Sequence, residues 1–293
     1  MYYEIGSRNP TFLQCYGISK NKVTDEYVLV IQYAPMGSLR QNLFTIAQMS
    51  WEMKLELLTY ISFDLQLIHS YNIIHRDLHS GNIFQNNIYN AYIGDLGFAK
   101  LANKILKTES GGVYGALPYI APEVLNGKSF TKASDVYSLG IIMWEISSGK
   151  IAFSDYEHDN LSLTIEICEG LRPKIIKGIT PCYRNLLERC WNSNPKKRPS
   201  ALEVYETIMS WKNDTNILSK FKKSDKEIEI KNYNFDANND GIGIYSSKFI
   251  SFVNKQLITD QQQSNKYMIN RVKSVNSDNI MIEDIEKVLK SIE

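Results

Sequence analysis

The chain has 293 residues, 43% hydrophobic and 22% charged, a balance that suits a globular protein with a sizeable core. Its 33 Lys and Arg against 32 Asp and Glu leave a net charge of +1, so no global field draws it to nucleic acid or to an anionic membrane. Cys15, Cys168, Cys182 and Cys190 form neither a CxxC pair nor a disulfide framework, which excludes the usual zinc spacing and points to reduced thiols in a cytoplasmic protein.

In chain order, the stretch from Met1 to Ser7 has no basic region followed by an apolar run and does not read as a signal peptide. A strand is expected around Phe12 to Ile18, then a turn at Asn21 and Lys22, then a β-branched and aromatic strand from Tyr27 to Tyr33, broken by Pro35 and Gly37. Ser50 is placed to cap a helix in which Leu55, Leu58, Ile61, Leu65 and Ile68 recur at three- and four-residue spacing. Residues 73–98 alternate short apolar runs with polar loops. Buried helices follow over about Ala133 to Ser147, closed by Gly149, and over Leu161 to Glu169, Pro181 to Trp191 and Ala201 to Trp211. The run Leu139 to Trp144 stops at Glu145, far short of a membrane span. Beyond Trp211 the sequence turns polar, including Gln261, Gln262 and Gln263, and reads as a linker and tail with a closing helix near Asp284 to Ile292.

Five motifs stand in order inside the folded region. They are His75-Arg76-Asp77-Leu78-His79-Ser80-Gly81-Asn82, then Asp95-Leu96-Gly97, then Ala121-Pro122-Glu123, then Asp135-Val136-Tyr137-Ser138-Leu139-Gly140, and finally Cys190-Trp191 through Pro195 to Arg198-Pro199. Together they resemble the protein kinase superfamily over residues 12–211. Their wording is similar to the tyrosine-kinase-like group of serine/threonine kinases, and most similar to the expanded kinase set of arbuscular mycorrhizal fungi.

The resemblance implies an α+β protein-kinase-like fold: a complete, mainly helical large lobe over 44–211, a remnant of the small lobe and the hinge over 1–43, and a linker and tail over 212–293. It implies ATP and Mg2+ as cofactors and phosphoryl transfer to a protein hydroxyl. Asp77 is then the base, Asn82 and Asp95 hold the metal, and His79 stands near the transferring phosphate. Ile31 takes the gatekeeper position, Gln32 and Ala34 the hinge, and Phe84 packs under adenine. His75, Arg76 and Asp135 are structural, and Glu123 pairs with Arg198. Thr108, Ser110 and Tyr114, between Asp95 and Glu123, are candidate phosphosites that would act through Arg76.

Three departures from the pattern bear on activity. No glycine-rich loop and no strand-borne lysine precede the hinge, since Lys20 and Lys22 lie in a loop beside it. His79 stands where serine/threonine kinases usually carry a Lys, and neutral His brings less positive charge. Ala116 stands where they usually carry a Thr that binds the catalytic Asp. Half of the nucleotide clamp is missing, so weak ATP binding and slow turnover are expected of this chain as it stands. Two functions remain open: a serine/threonine kinase, whose missing strands would be encoded upstream, or a truncated pseudokinase whose large lobe docks proteins. Asp236 to Gly241 matches half of a calcium loop, but its twelfth position is Ser247 where a Glu is required, so no calcium site is assigned.

Overall fold

Strands β1 (Cys15–Lys20) and β2 (Tyr27–Ile31) form an antiparallel ribbon with Cys15 opposite Ile31 and Lys20 opposite Tyr27. The Asn21 side chain closes its turn by accepting from the Val23 and Thr24 amides. Every β2 side chain is exposed, Val28, Leu29 and Val30 included. The computed structural model describes residues 5, 6, 9, 12–102, 111–156, 160–227 and 245–253, and all its elements belong to one unit, Met1–Phe252. Helices and strands are mixed in it.

Past the ribbon the chain turns at Gly37, whose φ of +69° only glycine adopts without strain. The turn is stitched to the strand at Gln85: Met36 N–H donates to the Gln85 carbonyl, and Gln85 N–H donates to that of Gly37. Ser38 and Gln41 form a capping box at the start of α1 (Leu39–Ala47). This short helix was not expected from the sequence. Its buried face is Leu39, Leu43 and Ile46, a three- and four-residue spacing too brief to stand out.

Helix α2 (Trp51–Ser70) begins where Ser50 accepts from the Met53 amide. Leu55, Leu58, Ile61, Leu65 and Ile68 are all fully buried along it. Three short two-stranded pairings follow. β3 (Ile73–Ile74) pairs with β6 (Lys100–Leu101), β4 (Ile83–Gln85) with β5 (Ala91–Ile93), and β7 (Gly112–Gly115) with β8 (Lys248–Ser251), all antiparallel. Helices α3 (Pro122–Leu125), α4 (Lys132–Ser148), α5 (Asn160–Glu169), α6 (Pro181–Cys190) and α7 (Ala201–Asn213) complete the helical body. Helix α4 is buried nearly all round and stops at Gly149, at φ +75°.

The polar stretch after Trp211 departs from the linker expected there. Residues Thr215–Glu227 form helix α8 against α2 and α7. Its most buried apolar residue, Phe221, lies between Trp51 and Trp211, with ring centroids 5.4 and 5.6 Å away. Asp225 accepts from the Trp51 amide at 2.8 Å, and Ser224 bonds Thr180 at 2.7 Å. Ile217, Leu218 and Phe221 make a narrow apolar stripe on an otherwise polar helix, and the polar composition is why the stretch read as a linker. The closing helix expected near Asp284 to Ile292 and the half calcium loop from Asp236 to Gly241 lie outside the described residues.

Candidate active site

The loop from His75 to Asn82 is held from beneath by the first turn of α4. Asp135 Oδ2 accepts from the His75 amide at 2.8 Å and from the His69 ring at 2.9 Å, while Oδ1 accepts from the Arg76 amide at 3.0 Å. One buried carboxylate thus satisfies three donors from two elements. Arg76 takes φ +74°, a conformation that costs a non-glycine residue of order 1 kcal/mol and survives because the surroundings fix it. Its guanidinium lies over the Phe130 ring and donates to the Phe98 carbonyl. The buried His75 ring bonds the Gly94 carbonyl at 2.9 Å, tying this loop to the next one.

Asp77 emerges from that frame, 5% exposed. The Asn82 amide nitrogen donates to the Asp77 carbonyl at 2.9 Å and reaches its carboxylate at 3.5 Å. Ile83 opposite Ile93 sets the register of β4 and β5, and Gly94 N–H donates to the Asn82 carbonyl at 2.8 Å. Asn82 and Gly94–Asp95 therefore lie at the same end of one hairpin. Asp95 is exposed, at φ +53°, with its carboxylate accepting from the Gly97 amide. Burial pushes the Asp77 carboxyl above the usual range. The Ser247 hydroxyl and His75 oppose this, the Asp95 charge adds to it, and the Asn82 amide opposes it.

The family model for protein tyrosine and serine/threonine kinases matches residues 5–208. The chain belongs to this kinase family. A probable serine/threonine-protein kinase of Dictyostelium discoideum is 30% identical over 204 residues, covering 67% of this chain and 15% of the relative. A probable LIM domain-containing serine/threonine-protein kinase of the same organism is 31% identical over 207 residues, or 70% of this chain and 31% of the relative. A putative serine/threonine-protein kinase/receptor of Acanthamoeba polyphaga mimivirus is 32% identical over 180 residues, or 60% and 10%. The chain spans less than a third of the length of these relatives.

In this member of the kinase family the remaining singled-out residues fall in three places. Phe84 on β4 lays its ring against Gly94, where a Cβ would stand 2.5 Å from the ring, so any larger residue before Asp95 would have to push that ring aside. Ile31 ends β2, partly exposed. Gln32 N–H donates to the Gln14 carbonyl, and the Ala34 carbonyl accepts from Gly37. Away from the loop, Glu123 and Arg198 meet in a two-pronged buried pair, both contacts 2.7 Å, with Arg198 also donating to the Asn192 and Ala133 carbonyls. Tyr114 lies on β7 stacked on Phe98 at 5.0 Å, whereas Thr108 and Ser110 lie outside the described residues. Among the described residues no helix is long and apolar enough to cross a membrane.

His79 is buried rather than projecting into solvent. Its Nδ1 accepts from the Gly81 amide at 3.0 Å, so the neutral ring carries its proton on Nε2. Burial, with Arg40 and His75 nearby, pulls its pKa down to about 3. Its 3.8 Å approach to Asp77 is therefore not an ion pair at neutral pH. Four further residues join the site without a motif to announce them. Arg40 lies beside Ser80 and Tyr119, Tyr119 donates to the buried Glu145 at 2.6 Å, and the Ser247 hydroxyl sits 2.9 and 2.8 Å from the two Asp77 oxygens. Ser247 is 170 residues from Asp77 in sequence, and no spacing rule reaches that far. The nearest signal was the short run Phe249, Ile250, Phe252, strand-like but hidden in polar surroundings.

Proposed function

We propose that this kinase moves the terminal phosphoryl group of ATP to a serine or threonine hydroxyl of a protein, with Asp77 taking the hydroxyl proton. The observation that carries this reading is the meeting of Asp77, Asn82 and Asp95 at one end of the β4–β5 hairpin. Phosphoryl transfer needs positioning and charge stabilisation more than covalent chemistry, and two carboxylates and an amide in one cleft supply both. Serine or threonine is favoured over tyrosine because the relatives are named for it. The motif wording supports a member of the tyrosine-kinase-like group, similar to the fungal set it resembles.

The donor set fits magnesium. Mg2+ takes a few hard oxygen ligands and leaves its other positions to water and phosphate. Asn82 commits its amide nitrogen to Asp77, leaving its oxygen, and the exposed Asp95 carboxylate supplies a second donor. Once bound there, the ion would neutralise phosphate charge. Ile31, Gln32, Ala34 and Phe84 would cradle the adenine ring, with residues up to 43 as hinge and small-lobe residues and 44–211 as the large lobe. The four cysteines are all free thiols, which supports a reducing, cytoplasmic setting.

Two observations favour the second reading, a protein-docking pseudokinase. The β1–β2 ribbon exposes all of β2, and the neutral His79 offers no phosphate-binding charge. A transfer assay with millimolar Mg-ATP and a mixed acceptor protein separates the two. Asp77→Asn is expected to lower transfer by about a hundredfold or more. Full activity in that variant would show that Asp77 is not the base. Absence both of transfer and of any thermal shift with Mg-ATP would leave only the docking module.

A further inference from the structure

The segment Tyr245 to Phe252 runs antiparallel to β7 and passes over Asp77. Strand β8 pairs with β7 over four positions, Lys248 opposite Gly115 through Ser251 opposite Gly112, and the Phe252 amide continues the contact to the Gly111 carbonyl. Tyr245 anchors the other end. It is buried, its hydroxyl donates to the Phe153 carbonyl at 2.7 Å, and its carbonyl accepts from Arg40 at 3.1 Å. Ile250 is a second buried anchor. Between the anchors Ser247 turns its side chain onto Asp77. Its hydroxyl proton faces the two carboxylate oxygens, and its oxygen lies 3.3 Å from His79 Nε2, the protonated nitrogen of the neutral ring. Ala116 has no hydroxyl to offer Asp77, so Ser247 is the hydroxyl this base meets.

We propose that Ser247 is a phosphoryl acceptor of this chain's own site, presented to Asp77 in cis by strand β8. The proposal rests on the transfer reaction proposed above and names its acceptor. The Ser247 oxygen forms a bond to the terminal phosphorus of a magnesium nucleoside triphosphate, and the bond from that phosphorus to the diphosphate oxygen breaks. The hydroxyl proton passes to the Asp77 carboxylate, and the nucleoside diphosphate leaves with the bonding pair. A hydroxyl held within 3 Å of its base is already oriented. Holding the acceptor hydroxyl on the base within the same chain spares the entropic cost of bringing in an outside acceptor. The same placement makes the segment a competitor of any outside acceptor for the cleft.

The test uses the full chain with millimolar Mg-ATP, phosphopeptide mapping, and myelin basic protein as an outside acceptor, beside hydrogen exchange without nucleotide. Phosphate is expected on Ser247 at a rate that does not change over a hundredfold range of protein concentration. Without nucleotide, residues 112–115 and 248–251 should be protected together. Tyr245→Ala and Ile250→Asp should raise exchange in both stretches by about tenfold or more, cut Ser247 phosphorylation similarly, and raise phosphorylation of the outside acceptor. Ser247→Ala should lose the phosphopeptide and keep the protection. Phosphorylation of myelin basic protein with none on Ser247 would overturn this proposal and leave the kinase reading standing. No transfer to either would overturn both. A rate proportional to protein concentration would refute presentation in cis, and exchange unchanged in both anchor variants would refute the docked strand.

Discussion

Removing the carboxylate of Glu123 would leave the Arg198 guanidinium buried beneath Tyr137 with only carbonyls for company. A stranded buried charge costs far more than the intact pair contributes. Glu123→Ala is therefore expected to lower unfolding stability by about 3–5 kcal/mol, read from urea midpoints at constant m-value. Lys54 offers a case with the opposite sign. It is 2% exposed, its Nζ donates to the Ala47 carbonyl, and burial pulls its pKa down to about 8 against the opposing charge of Asp225. Between pH 8 and its ordinary value of 10.5 the unfolded chain keeps a proton that the folded chain has released. Stability contributed by this group thus rises with pH across that window, by on the order of 2–3 kcal/mol. Lys54→Met should remove that rise, as the difference between wild type and variant in urea titrations at pH 7.5, 9 and 10.5. These two residues also mark how far reading reached at this scale. Glu123 and Arg198 were picked out through motifs 75 residues apart. Lys54 was passed over, since nothing in a sequence tells a buried lysine from a solvated one on a helix.

At the scale of elements, α8 shows how a polar helix is held. Phe221 fills the space between Trp51 and Trp211, so Phe221→Ala should cost about 3 kcal/mol or more. Because that anchor joins α8 to α2 and α7, the same variant should speed hydrogen exchange throughout residues 215–226 and leave α4 protected. Uniform loss of protection across all helices would show α8 to be an integral part of the core rather than a docked outer layer. The long helices were legible because their apolar spacing repeats over several turns, as in α2 with its Ser50 cap. Helix α1 and the pairing of β7 with β8 were not. The first is too short for a period, and the second joins segments more than 130 residues apart.

For the whole molecule, burial is divided unevenly. The body built on α2 and α4 holds fully buried side chains such as Leu58 and Ile142, whereas β1 and β2 carry theirs in the open. Leu29→Lys, at 44% exposed, should change global stability by about 0.5 kcal/mol or less, against about 2–5 kcal/mol for Leu58→Ala. Comparable losses in both would mean that the ribbon is covered in solution. The ribbon also leaves strand edges unpaired among the described residues, so the charged variant should be the less prone to associate, as light scattering would record.

By itself the sequence determined what short-range spacing can encode: the order of the motifs, the loop from His75 to Asn82, the position of Asp95, the long amphipathic helices and the stops at Gly37 and Gly149. Those features depend on neighbours within a few turns of chain, and residue type and period carry them. Only the tertiary structure decided that the His69 ring shares the Asp135 carboxylate, that His79 is buried and neutral, that α8 is a helix, and that Ser247 reaches Asp77. Burial and pairing depend on what the rest of the chain brings alongside, and partners 60 to 170 residues apart leave no periodic trace in the residues between them.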